Sequence, residues 1–196
     1  MSSIVTYKGK EWSLLELTNQ YLMKPPMIDR ASSSACYPSS ASCWVNEGQN
    51  KFLEGGCNRS SYYRMIGEPV TNPSTEYSYY INEHGKFIEE FLIDKWTRMG
   101  LWVANNVKFY VSESDPRYGF PLSGEIDCFV RTPGTTDIKD VIVAEIKSYY
   151  KWFKKRELLG TKDEPGKPAY NNLFQLMLYL DYYKNIGIEK GKLLYT

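Results

Sequence analysis

Residues 124–131, GEIDCFVR, and residues 141–148, VIVAEIKS, decide the fold of this 196-residue chain. Both runs are rich in β-branched and aromatic side chains. Residues 132–137, TPGTTD, supply turn chemistry between them. They read as the two strands of a hairpin. Alternation sets Glu125, Asp127 and Phe129 on one face of the first strand and Ile126, Cys128 and Val130 on the other. In the second strand Val143, Glu145 and Lys147 share a face, so pairing brings Asp127 beside Glu145 and Lys147. Two carboxylates held together raise each other's pKa unless a cation separates them. Oxygen donors suit a hard divalent ion, which makes Mg²⁺ or Mn²⁺ the natural occupant. A lysine two residues after the second carboxylate adds a fixed positive charge. It can hold a phosphate oxygen or orient an attacking water.

Working outward, Asn82–Arg98 predicts a helix stopped by Gly100. His84, Ile88, Phe91, Leu92, Trp96 and Met99 form its apolar stripe, with Glu89 at the flank and Glu90 turned away. Leu101–Val111 reads as a strand and Tyr170–Tyr183 as an amphipathic helix. Lys192–Thr196 resembles the opening of a further strand, which predicts that the natural chain continues past Thr196. Towards the N-terminus, residues 11–24 predict a short helix ended by Pro25 and Pro26. Residues 31–56 show no periodicity, 59–66 suit one or two helical turns, and 67–74 form a turn-rich linker. The expected fold is α/β, a central mixed β-sheet of four or five strands flanked by helices. An N-terminal helical and cysteine-containing segment, 1–75, would pack on a core of residues 76–196.

With 24 Lys+Arg against 23 Asp+Glu, the net charge of +1 excludes a strongly basic packaging protein and a polyanionic tail. Hydrophobic residues at 42% against 24% charged suit a packed core and exclude a disordered chain. There is no apolar run of membrane-spanning length and no signal peptide at the N-terminus, so a soluble cytoplasmic protein is expected, or one of the host cytoplasm if viral. Cys36, Cys43 and Cys57 crowd into one segment, and Cys128 stands alone as a small core residue. In a reducing compartment metal ligation outranks disulfides for such a cluster, with free core thiols as the plain alternative. Lys147, Lys151, Lys154, Lys155 and Arg156 are interleaved with Tyr149, Tyr150, Trp152 and Phe153. Positive charge with stacking rings is what a nucleic-acid strand requires; a solvated basic helix is the ordinary alternative.

GEIDCFV followed by VAEIKS resembles the Gly-x-x-Asp and Glu-x-Lys motifs of the PD-(D/E)xK nuclease superfamily. Three companions stand in the family's order. GKFIEEFL resembles the helix that supplies the first metal ligand, at Glu89. Gln175 and Tyr179 match the Gln-x-x-x-Tyr motif of the RecB-type branch. CNRSSYYRMIGEP resembles the segment that opens its iron–sulfur members, which include CRISPR-associated adaptation nucleases and phage exonucleases. That branch usually carries His where this chain has Glu89, whereas junction-resolving relatives have Glu. In the iron–sulfur members one cysteine precedes the core and three follow it; here three precede it.

The resemblance spans about residues 30–196 and implies a restriction-endonuclease-like core. Mg²⁺ or Mn²⁺ would be held by Glu89, Asp127, Glu145 and the backbone carbonyl of Ile146. Asp127, Glu145 and Lys147 would form the catalytic set, and Gln175, Tyr179, Lys154, Lys155 and Arg156 would contact substrate. An iron–sulfur cluster or zinc would sit at Cys36, Cys43 and Cys57. The expected activity is metal-dependent hydrolysis of DNA phosphodiesters, by an exonuclease that processes single-stranded or frayed ends. It would act with replication, repair or CRISPR-type protein partners. A non-catalytic nucleic-acid-binding module of such an assembly is the alternative. For Gln175 and Tyr179 a core-edge hydrogen bond is the alternative, and for Glu89 a solvated helix position.

Overall fold

The computed structural model describes residues 4–7, 10–13, 35–40, 42–47, 50–68, 76–149 and 152–196. Its centre is a four-stranded mixed sheet flanked by helices, whose strands neighbour one another in chain order. Two hairpins precede it: β1 (Ile4–Tyr7) with β2 (Lys10–Ser13), and β3 (Ser42–Glu47) with β4 (Asn50–Gly55). Both differ from expectation. Residues 11–13 are extended instead of opening a helix, and the rest of 11–24 lies outside the described residues. The 31–56 stretch holds a hairpin because backbone pairing between Ser42–Glu47 and Asn50–Gly55 needs no apolar alternation. Helix α1 (Asn58–Met65) forms where helical turns were expected.

Helix α2 (Glu76–Arg98) begins six residues before the expected Asn82. Gly100 at φ 70° ends it, while the Leu101 N–H reaches back to the Trp96 carbonyl at 2.8 Å. The chain then runs through β5 (Trp102–Val111), β6 (Leu122–Arg131) and β7 (Val141–Lys147), an antiparallel meander of β-branched and aromatic residues. Helices α3 (Trp152–Leu159) and α4 (Tyr170–Tyr183) form the crossover to β8 (Lys190–Tyr195). β8 pairs parallel to β7, as such a long connection permits.

The core lies between the sheet and α4. Ile126 and Val143 are fully buried there, with Phe109, Phe129, Leu176 and Tyr179 packed around them. Phe109 and Phe129 both contact the Tyr183 ring, at centroid distances of 6.4 and 5.2 Å. Phe109 pairs with Gly124, so Gly124 and Phe129 serve one face at an odd spacing. Strict alternation along β6 therefore fails. The register shifts between Trp102 and Ala104, and Asn106 adopts φ 52° beside it.

The packed side of α2 is also rotated from the expected stripe. Ile88, Glu89, Leu92, Ile93 and Trp96 are half-buried, whereas His84, Phe87, Phe91 and Met99 are exposed. At Gly85 a Cβ would stand 3.1 Å from Ser148 Oγ, so the missing side chain allows α2 to lie close to the end of β7.

Candidate active site

The β6–β7 ladder ends at the Cys128–Ala144 pair, and beyond it the edge of β7 is open. Asp127 fills that opening. Its Oδ2 accepts the Ile146 N–H at 2.7 Å, so a side chain replaces the missing ladder partner. The Ile146 carbonyl projects to the same edge as its N–H, which places it beside Asp127.

Glu145 is fully buried. Lys147 Nζ lies 2.5 Å from Glu145 Oε1, and Lys147 keeps 27% of its side-chain surface. Among the described residues, the buried Glu145 Oε2 has no hydrogen-bond partner. Burial, then repulsion from Asp127, raises the Glu145 pKa against the opposing pull of Lys147. Burial likewise raises that of Asp127, although the Ile146 N–H and Lys147 favour its ionised form. Burial lowers the Lys147 pKa, but Glu145 more than offsets it, so the net shift is upward. Both partners therefore hold protons tightly, Lys147 because Glu145 faces it and Glu145 because desolvation outweighs Lys147.

Glu89 reaches this edge from α2, one helical turn after Gly85. Its pKa is raised to about 7 by burial, then by Asp127, Glu125 and Glu90, with Lys147 opposing. Four of the expected site residues thus converge: Glu89, Asp127, Glu145 and Lys147. Among the described residues, however, no three His, Cys, Asp or Glu side chains are gathered closely enough to hold a metal as they stand. Lys147 takes one oxygen of Glu145, and the Ile146 N–H takes one of Asp127.

The donor set still fits a hard divalent cation. A buried carboxylate oxygen without a partner is costly, and a cation satisfies it. The neighbouring donors, Asp127, Glu89 and the Ile146 carbonyl, are all oxygens.

Gln175 and Tyr179 are braces. The Tyr179 hydroxyl accepts from Gln175 Nε2 at 2.8 Å and donates to the Glu125 carbonyl at 2.9 Å. Both residues are buried, and their bonds tie α4 to the strand that carries Asp127. Those bonds are the core-edge hydrogen bonds weighed above beside substrate contact. Arg156 is exposed and lines a pocket with Thr161 and Lys167 that includes none of the four converging residues. The side chains of Lys154 and Lys155 lie outside the described residues, as does that of Cys43.

Cys36 turns its thiol to Met65 Sδ at 3.9 Å, and Cys57 is exposed at the N-cap of α1. The Cys36 backbone instead bridges Leu122 at the start of β6, tying the N-terminal segment to the sheet. Cys128 is a buried free thiol, as expected, pushed up to about 12 by burial and then by Glu89 and Asp127.

Sequence reasoning gave Glu125 no part in the site and passed over Asn172. Glu125 faces Lys108 at 3.9 Å and adds a further negative charge beside Glu89. Its place two residues before Asp127 was a legible signal. Asn172, buried on α4, carried none.

Comparison of the chain with family models, with curated proteins and with solved structures finds no match.

Proposed function

We propose that this protein is a metal-dependent nuclease that hydrolyses DNA phosphodiesters at the open edge of β7. The observation that carries this reading is Glu145: fully buried, beside a lysine, with one oxygen that no described residue partners. A module that only bound nucleic acid would gain nothing from so costly a group. Glu89, Asp127, Glu145 and the Ile146 carbonyl would hold Mg²⁺ or Mn²⁺. When bound, that ion supplies Lewis-acid activation of the phosphate and of a water.

The chain's own residues do the rest. Lys147 releases Glu145 Oε1 and donates from Nζ to a non-bridging phosphate oxygen, where negative charge grows during attack. Asp127, through its bond to the Ile146 N–H, fixes the edge against which the reacting phosphate is set. Tyr179 locks the Glu125 backbone and so fixes the approach of Asp127. Water gives up a proton as its oxygen adds to phosphorus, the ester P–O bond breaks, and the departing oxygen takes up a proton in turn, so that one water is consumed and no net proton is gained or lost. No cysteine has a role in this scheme.

Support for an end-processing exonuclease on single-stranded or frayed DNA comes from the RecB-type resemblance of the motif set. Incubating end-labelled single-stranded and duplex DNA and RNA with the protein, in Mn²⁺ or in chelator, tests the reading. Metal-dependent shortening of DNA is expected. Nucleic acid left intact under every condition sinks it.

A further inference from the structure

Lys147 pairs with Tyr195 across the parallel β7–β8 ladder, so their side chains share a face. The ladder runs on: the Thr196 N–H reaches the Lys147 carbonyl and the Tyr149 N–H reaches the Thr196 carbonyl, both at 3.0 Å. Tyr149 therefore follows Lys147 on that face, its ring centroid 5.6 Å from that of Tyr195. Asn172, buried in the first turn of α4, donates from Nδ2 to the Tyr149 hydroxyl at 3.0 Å and to the Tyr195 hydroxyl at 3.4 Å. Tyr195 also accepts the Ala169 N–H at 3.2 Å.

These bonds fix what the hydroxyls can do. A phenol has one proton to give; here the Tyr195 oxygen accepts two N–H groups and the Tyr149 oxygen one. Neither phenolic proton meets an acceptor among the described residues. Both residues are half-buried. Ala169, at the N-cap of α4, offers no side-chain cap, so the positive end of that helix faces the same spot. Two O–H donors, a helix N-terminus and the Lys147 ammonium all favour one kind of ligand, an oxyanion.

We propose that Tyr149 and Tyr195 form a subsite for the backbone phosphate next to the scissile one, an assignment that rests on the nuclease reading above. Two residues along a strand advance about 6.6 Å. That step is of the order of the spacing between neighbouring phosphates in a nucleic-acid strand. A strand with its scissile phosphate at Lys147 sets the next one at the two hydroxyls.

Binding of a short fluorescein-labelled single-stranded DNA in chelator tests this. Y149F/Y195F should bind at least tenfold more weakly than wild type, since each hydroxyl gives a hydrogen bond to a charged group. The dependence of affinity on salt should keep its slope, because no cation is removed. Mn²⁺ binding by calorimetry should be unchanged. Should the double variant fail to fold, Y149F alone carries the test, with a severalfold loss expected. If wild type binds DNA and the Phe variants bind it equally well, the subsite is wrong and the nuclease reading stands. If wild type neither binds nor cuts nucleic acid, the nuclease reading has failed and the subsite falls with it.

Discussion

Glu89 senses three other acids at once, and its proton affinity shows the result. Its pKa is higher in the folded protein than in the unfolded chain, so the folded state binds the extra proton. Glu89 therefore contributes stability that is present below about pH 4.5 and lost as pH rises through about 7. In chelator, Glu89→Gln should melt with wild type near pH 4. Above pH 7 it should melt higher, by about 2–4 °C for roughly 1 kcal/mol, a figure discounted for its half-exposed position. A difference independent of pH would place Glu89 away from the other acids. Lys147 makes a different demand. Lys147→Ala should still bind Mn²⁺ in calorimetry yet lose about 10²–10³-fold in turnover, because its charge acts on the reacting phosphate. Loss of metal binding as well would show that Lys147 shapes the ligand set instead.

At the scale of elements, glycines set how closely the layers approach. A Cβ on Gly124 would stand 2.5 Å from the Phe109 ring and 3.2 Å from that of Tyr179. Gly124→Ala should lower the melting temperature by about 3–10 °C, the consequence of roughly 1–3 kcal/mol of overpacking. A variant that melts with wild type would mean that α4 can shift off β6 freely. The same close approaches mark what could be read from sequence. β6, β7 and α4 were legible because their apolar patterns are those of a packed strand or helix. The packed face of α2 was not, because apolar Phe87, Phe91 and Met99 are exposed while the charged Glu89 is half-buried, against what an apolar stripe predicts. β3 and β4 escaped for a related reason, since backbone pairing holds SCWVNE to NKFLEG without alternation. Asp127, Glu145 and Lys147 were legible through spacing, whereas the Asn172 bonds to two tyrosines join residues far apart in the chain.

Across the whole molecule, a net charge of +1 gives no general attraction to DNA, so binding must come from local patches. Replacing Lys154, Lys155 and Arg156 together by Ala should flatten the log–log salt dependence of single-strand binding by about 0.7 for each phosphate that they neutralise. An unchanged slope would assign these residues to a solvated face. None of the helices among the described residues is long and apolar enough to cross a membrane. The account stands or falls on chemistry at β7, and one comparison addresses it directly. Wild type and Glu145→Ala, prepared in parallel, are incubated with end-labelled single-stranded DNA and Mn²⁺. Wild type is predicted to shorten the DNA and the variant, still folded, to leave it whole. Equal cleavage by both proteins, or cleavage by wild type in chelator, would contradict it.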